Sequence, residues 1–188
     1  MNKTKRKIFE TSMKLFAEKG YDATSVEEIT SVVGVAKGTL YYHFSSKEEI
    51  FYFLIEEGMK LLQNSIVIKT TQKKSAIEKL KCVILIQLKI IYKYQDFLRI
   101  ILSQIWGKEP RNLKCKEYVK QYLKIVEEIV EQGIKNGEII ESNAETIAIG
   151  IFSNTCVSLL YKMNKNYHVS LEEMYKELED IIFKGLKK

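Results

Sequence analysis

Apolar residues recur at three- and four-residue steps along almost the whole chain, and no stretch alternates apolar with polar as a strand would. Ile8, Phe9, Met13, Leu15 and Phe16 predict a first helix over residues 4–19, ended by Gly20. Val26, Ile29 and Val33 predict a second helix, with Ser25/Glu28 and Thr24/Glu27 as alternative capping boxes at its start. Gly34 sits where the chain must stop and reverse, since glycine takes positive φ without steric cost. A short third helix follows over Ala36–Phe44. Ser45 and Ser46, three residues ahead of Glu48 and Glu49, cap a fourth that runs to about Ser65 and is too rich in apolar positions for a solvated linker, as a connector touching two domains would be. Residues 66–74 read as a polar loop. Ser75 with Glu78 opens a helix over Ala76–Gln95, apolar on nearly all sides and so expected at a domain centre. Helical spacing continues over 96–107, from Pro110 to about Asn136, over 143–163, and from Ser170, capped with Glu173, to the end. A single proline and 9 glycines in 188 residues agree with long helices and few breaks. The expected fold is all-α: a small N-terminal domain over 1–47 and a larger helical one over 48–188.

The third helix carries the chemistry. At about 100° per residue, Leu40 and Phe44 fall on one side, and Gly38, Thr39 and Tyr42 on the other. Lys37 and Tyr41 flank them. Two residues anchor the helix, and its outer face offers a cation, bare backbone, a hydroxyl and phenols. The alternative is that Tyr41, Tyr42 and His43 simply pack against neighbouring helices. A helix-turn-helix instead sends the N-terminus of its second helix into the major groove, where such groups meet bases and phosphates.

Residues 16–47, FAEKGYDATSVEEITSVVGVAKGTLYYHFSSK, resemble the DNA-binding region of the TetR family of transcriptional regulators. The resemblance implies a three-helix DNA-binding domain with a helix-turn-helix, a helical effector domain and a homodimer on a nearly palindromic, double-stranded operator. It implies that Lys37, Gly38 and Thr39 lie near bases. Tyr41, Tyr42, His43 and Lys47 would touch phosphates, and Thr24 or Ser25 would meet a phosphate at the start of the second helix. Ala36 departs from the family, where many members have a serine cap; alanine caps poorly, at a cost of ~1 kcal/mol.

Charge adds less than placement does. The net charge is +6, with 8 basic against 6 acidic residues in 1–48 and 22 against 18 in the other 140, so the excess is not concentrated in the proposed DNA-binding part. Lys3, Lys5, Arg6 and Lys7 cluster near the start, either as a solvated leader or as a phosphate clamp. Cys82, Cys115 and Cys156 are odd in number and far apart, and with only His43 and His168 they suggest neither a zinc framework nor a disulfide scaffold. No phosphate loop, nucleophile elbow or metal set appears, so neither an enzyme nor a cofactor is expected. The leader is followed by no apolar run, and Cys82–Tyr92 is too short to span a bilayer, so a cytoplasmic protein without membrane association is expected.

An effector site should be concave and mostly apolar. Its candidate lining is Tyr92, Phe97, Ile101, Trp106, Tyr122 and Phe152, with Gln104 and Asn154 as polar groups that could equally face water. This set suits an apolar or aromatic small molecule. The stripes of the last two helices suit either the monomer's own core or a four-helix bundle with a second copy. The combined expectation is a ligand-responsive transcriptional regulator, a repressor released from its operator by an apolar effector. The alternatives are a helical small-molecule carrier and an architectural DNA binder.

Overall fold

The computed structural model describes residues 2–164 and 170–186; His168 and the polar loop expected around it lie outside them. Among the described residues the chain forms nine helices and no strand: α1 (Lys3–Lys19), α2 (Val26–Val33), α3 (Lys37–His43), α4 (Lys47–Thr70), α5 (Ala76–Lys93), α6 (Gln95–Gln104), α7 (Pro110–Lys135), α8 (Ala144–Asn164) and α9 (Leu171–Lys184). Two compact units result: Met1–Gly58 with Asp96–Tyr118, and Met59–Gln95 with Val119–Lys188.

In the first unit, α1, α2 and α3 pack on one another. Ile8, Ile29, Leu40 and Phe44 are buried, with Phe51 and Leu54 from the start of α4. Tyr21 closes this core, its ring 5.3 Å from Phe16 and 5.2 Å from Phe51. Ser25 caps α2 by accepting from the Glu28 amide at 3.0 Å. Thr24 does not provide the alternative cap. It is buried, and its hydroxyl donates back to the Gly20 carbonyl at 2.8 Å. Gly34 adopts the left-handed conformation, φ 76° and ψ 41°, and its N–H satisfies carbonyls at the end of α2. Gly58 gives α6 its seat, because a Cβ there would lie 2.3 Å from the ring of Phe97.

In the second unit, α5 lies against α8 and α9, which also touch each other. Ser75 and Glu78 form the full reciprocal capping box at the start of α5. Glu138 adds a long-range cap, accepting from the Ala76 amide at 2.7 Å. Ser170 and Glu173 repeat the box at α9.

Two expectations are corrected. α4 continues to Thr70 instead of stopping near Ser65, since Ile66 is wholly buried and Thr70 bonds back to the Ile66 carbonyl at 2.8 Å. The helix expected through 107 ends at Gln104, and Tyr94, at φ −128° and ψ 54°, separates it from α5. The segment Ala144–Lys162 is also long and apolar enough, by length and composition alone, to cross a membrane. Its Ala148, Ile151, Cys156 and Leu159 are buried, and the helix packs on α5 and α9, whereas Ile149, Val157 and Tyr161 are exposed.

Candidate nucleic-acid interface

The turn at Gly34 leaves α3 anchored by one side. Leu40 and Phe44 are buried to within 1% of full burial, whereas Tyr42 is 83% exposed and Tyr41 44%. A Cβ at Gly38 would meet nothing within 4 Å, so another backbone or a base edge can approach there. Thr39 and His43 are half-buried, and the His43 ring stands edge-on to Tyr42 at 5.0 Å. Ala36 precedes the helix in extended conformation with no side-chain cap, the consequence expected of alanine at that position.

Lys37, the first residue of α3, forms an exposed ion pair with Glu27 of α2. The Lys37 hydrogen bond holds the Glu27 carboxyl below its ordinary range and, reciprocally, raises the Lys37 ammonium. The neighbouring Glu28 pairs instead with Lys19 of α1. The sequence marked Glu27 only as a capping candidate with Thr24; its pairing with Lys37, ten residues away across a turn, carried no signal.

Lys47 is half-buried and turned toward the loop between α1 and α2. Its ammonium donates to the carbonyls of Tyr21 and Thr24, both at 2.8 Å, and lies 4.2 Å from the centre of the Tyr21 ring. Burial lowers its basicity. Arg111 faces the same ring at 4.7 Å and bridges to Asp22 at 2.7 Å. The α1–α2 loop is thereby held by two cations. Of the alternatives at the start of α2, Ser25 is exposed and Thr24 is sealed within.

The basic cluster is part of α1 itself. Lys7 donates to the Val33 carbonyl at 2.8 Å, Lys5 lies 4.7 Å from the Phe44 ring, and Arg6 pairs with Glu10. Lys5 and Lys7 therefore bind α1 to the rest of the unit.

Of the eight residues expected around an effector, Phe97, Ile101, Gln104 and Trp106 belong to the first unit and Tyr92, Tyr122, Phe152 and Asn154 to the second. Phe97, Ile101 and Gln104 are buried in the first unit, where Gln104 accepts from Asn112 at 2.7 Å and from Arg111 at 3.3 Å. Trp106 follows the end of α6 and is 83% exposed, and Tyr92 is 49% exposed. In the second unit, Tyr122 and Phe152 meet with ring centres 5.4 Å apart. Tyr122 is wholly buried and its hydroxyl donates to Gln87 at 2.8 Å; Gln87 in turn donates to the Phe152 carbonyl and the Cys156 sulfur, both at 3.2 Å. Gln87 was legible only as one polar interruption of an apolar run. Burial pushes the Cys156 thiol up to about 12, leaving it unreactive at neutral pH. Asn154 is exposed and bonds to the Gly150 carbonyl at 2.8 Å.

Two grooves are open. One, of about 560 Å³ in the first unit, is lined by Tyr52, Glu56, Pro110, Leu113 and Tyr118 among others. The other, of about 170 Å³ between α8 and α9, includes Gly150, Asn154 and Ile181. Near it, Ile149, Val157, Tyr161 and Ile181 are between 45% and 67% exposed.

Comparison with known proteins matches both regions. Residues 8–52 match the profile of bacterial regulatory proteins of the tetR family, and residues 73–186 that of the tetracyclin repressor-like C-terminal domain. The fatty acid metabolism regulator protein of Bacillus subtilis is 31% identical over 137 residues, which cover 71% of this chain and 70% of that protein. The uncharacterized HTH-type transcriptional regulator YerO of the same organism is 34% identical over 120 residues, 63% of this chain but only 41% of YerO. Among solved structures, a candidate fatty acid metabolism regulator from Clostridium perfringens superposes with a TM-score of 0.89 at 32% identity, covering 95% of this chain and 97% of that one.

Proposed function

The chain belongs to the TetR family of bacterial regulatory proteins, and we propose that it is a cytoplasmic, ligand-responsive repressor that binds a palindromic operator as a homodimer. One observation carries the reading: a short helix held by two buried residues turns a lysine, an open glycine and an exposed tyrosine outward. Of these outward groups only Lys37 has a partner on another helix among the described residues, the exposed Glu27 of α2.

In this reading residues 1–47 bind DNA and 48–188 serve effector binding and dimerisation. Lys37, Gly38 and Thr39 approach bases, and Ser25, Tyr41, Tyr42 and His43 meet phosphates. Lys47 acts mainly by fixing the loop that presents Ser25. The exposed apolar positions of α8 and α9 pack against their copies, and the dimer reads two half-sites, which for helix-turn-helix dimers lie about 34–36 Å, one turn of DNA, apart. The similarity to fatty acid metabolism regulators supports an apolar effector with a fatty acyl chain, released or bound in step with that metabolism. Effector and operator then weaken each other's binding by the same factor.

The test is selection of bound sequences from a random DNA pool at physiological salt, with the products titrated against a long-chain acyl-coenzyme A. An enriched palindrome that the acyl compound displaces is expected. Ligand binding without any salt-sensitive DNA affinity would instead mark a helical carrier. Ile181→Glu, at a residue 67% exposed, is expected to give folded monomers in sedimentation; dimers surviving it would move the interface elsewhere.

A further inference from the structure

We propose that Glu27 and Lys37 read one G·C base pair as a unit, which makes Glu27 a specificity-determining residue; the inference rests on the DNA-binding reading above. Glu27 lies in the first turn of α2 and Lys37 opens α3, so the two charges meet across the Gly34 turn. Their side chains remain 66% and 52% exposed, and the open Gly38 follows directly. The pair therefore stands at the leading end of the recognition helix. Glu28 is the useful contrast. Its side chain is only 27% exposed and it ties α2 to Lys19 of α1, so it is spent on the fold.

A lysine alone at this position would be drawn to any phosphate. A carboxylate within hydrogen-bond reach cancels its charge well inside the ~8 Å screening length, so phosphate gains little from the pair. The major-groove edge of a G·C pair is different. It sets two acceptors, guanine N7 and O6, beside one donor, the cytosine N4 amino group. Lys37 can donate to the acceptors while Glu27 accepts from the amino group, and the ion pair survives. An A·T pair puts the adenine donor between two acceptors, an order that the two adjacent charges match less well. The glutamate thus lowers affinity for DNA in general and raises discrimination. A role confined to the helix dipole would place Glu27 in the same turn, but would affect stability only.

The experiment compares the full-length wild type with E27Q, E27A and K37A by DNA selection and by binding to a random duplex across a salt series. Circular dichroism confirms that each is folded. E27Q and E27A are expected to lose preference for one G·C pair per half-site by on the order of tenfold. Their affinity for the random duplex should rise, with a salt slope steeper by about 0.9, one phosphate's worth. K37A should lose preference at the same position, and K37A with E27A should lose no more than K37A alone, as for two residues acting as one. Unchanged positional preferences and salt slope in both Glu27 variants, with only a lower melting temperature, would overturn the inference. A wild type that enriches no sequence would overturn the DNA-binding reading beneath it.

Discussion

The outer face of α3 and the buried cluster around Gln87 treat polar groups in opposite ways. On α3 the polar and aromatic groups point outward and the apolar ones, Leu40 and Phe44, hold the helix. Around Gln87 the polar groups point inward, and each is bonded to another: Tyr122 to Gln87, and Gln87 to Phe152 and Cys156. A polar group kept in water costs nothing until a partner arrives, so α3 can be short, uncapped and still useful. A polar group removed from water must be satisfied at once, because each unmet donor or acceptor costs about 1–3 kcal/mol. The first arrangement suits recognition, and the second fixes how α5, α7 and α8 register.

The largest expected effect breaks the inner arrangement. Gln87→Ala should lower stability by about 2–5 kcal/mol in denaturant unfolding, from a cavity plus a stranded Tyr122 hydroxyl. Gln87→Leu combined with Tyr122→Phe should recover most of that loss, because both partners become apolar together; an additive loss would mean that packing, not hydrogen bonding, sets the cost. Lys47→Ala crosses the two categories. As a cation bonded to two carbonyls it should cost about 1.5–3 kcal/mol of stability as well as DNA affinity. A lysine that served phosphate alone would leave stability within about 0.5 kcal/mol.

Ala36→Ser sharpens the outer arrangement by supplying the missing cap. It should stabilise the first unit by ~1 kcal/mol and tighten operator binding, measured by thermal unfolding and titration. The smallest effect concerns Tyr52, whose hydroxyl donates to Glu48 at 2.5 Å and is thereby pushed from an ordinary 10.0 up to about 12. The folded state keeps this proton more tightly than the unfolded one. The contribution is therefore fully present below pH about 10 and is lost as pH rises towards 12. Tyr52→Phe should flatten stability over that alkaline window, and an unchanged slope would assign it to other tyrosines.

Local order was written plainly in the chain. Helix positions, the Ser75 and Ser170 caps, the Gly34 reversal and the inward side of α3 follow from spacing and from single-residue backbone preferences, which act within four residues. The family resemblance over residues 16–47 rested on the same local signals. The end of α4 was misread because Ile66, Val67 and Ile68 lie beside lysines and threonines, and only the burial of Ile66 decides that the helix continues.

Pairings between distant residues were not legible. Periodicity places Lys47 at a helix start and Gln87 in an apolar run, but says nothing of the carbonyls or the phenol each one meets. It gave Trp106 and Tyr92 the same standing as Tyr122, although two are exposed and one is sealed. The sequence alone determined the helices, their caps and the turn that makes a recognition helix possible. Tertiary structure alone decided which polar groups are left for a partner and which are consumed in the fold, because desolvation depends on neighbours brought from tens of residues away.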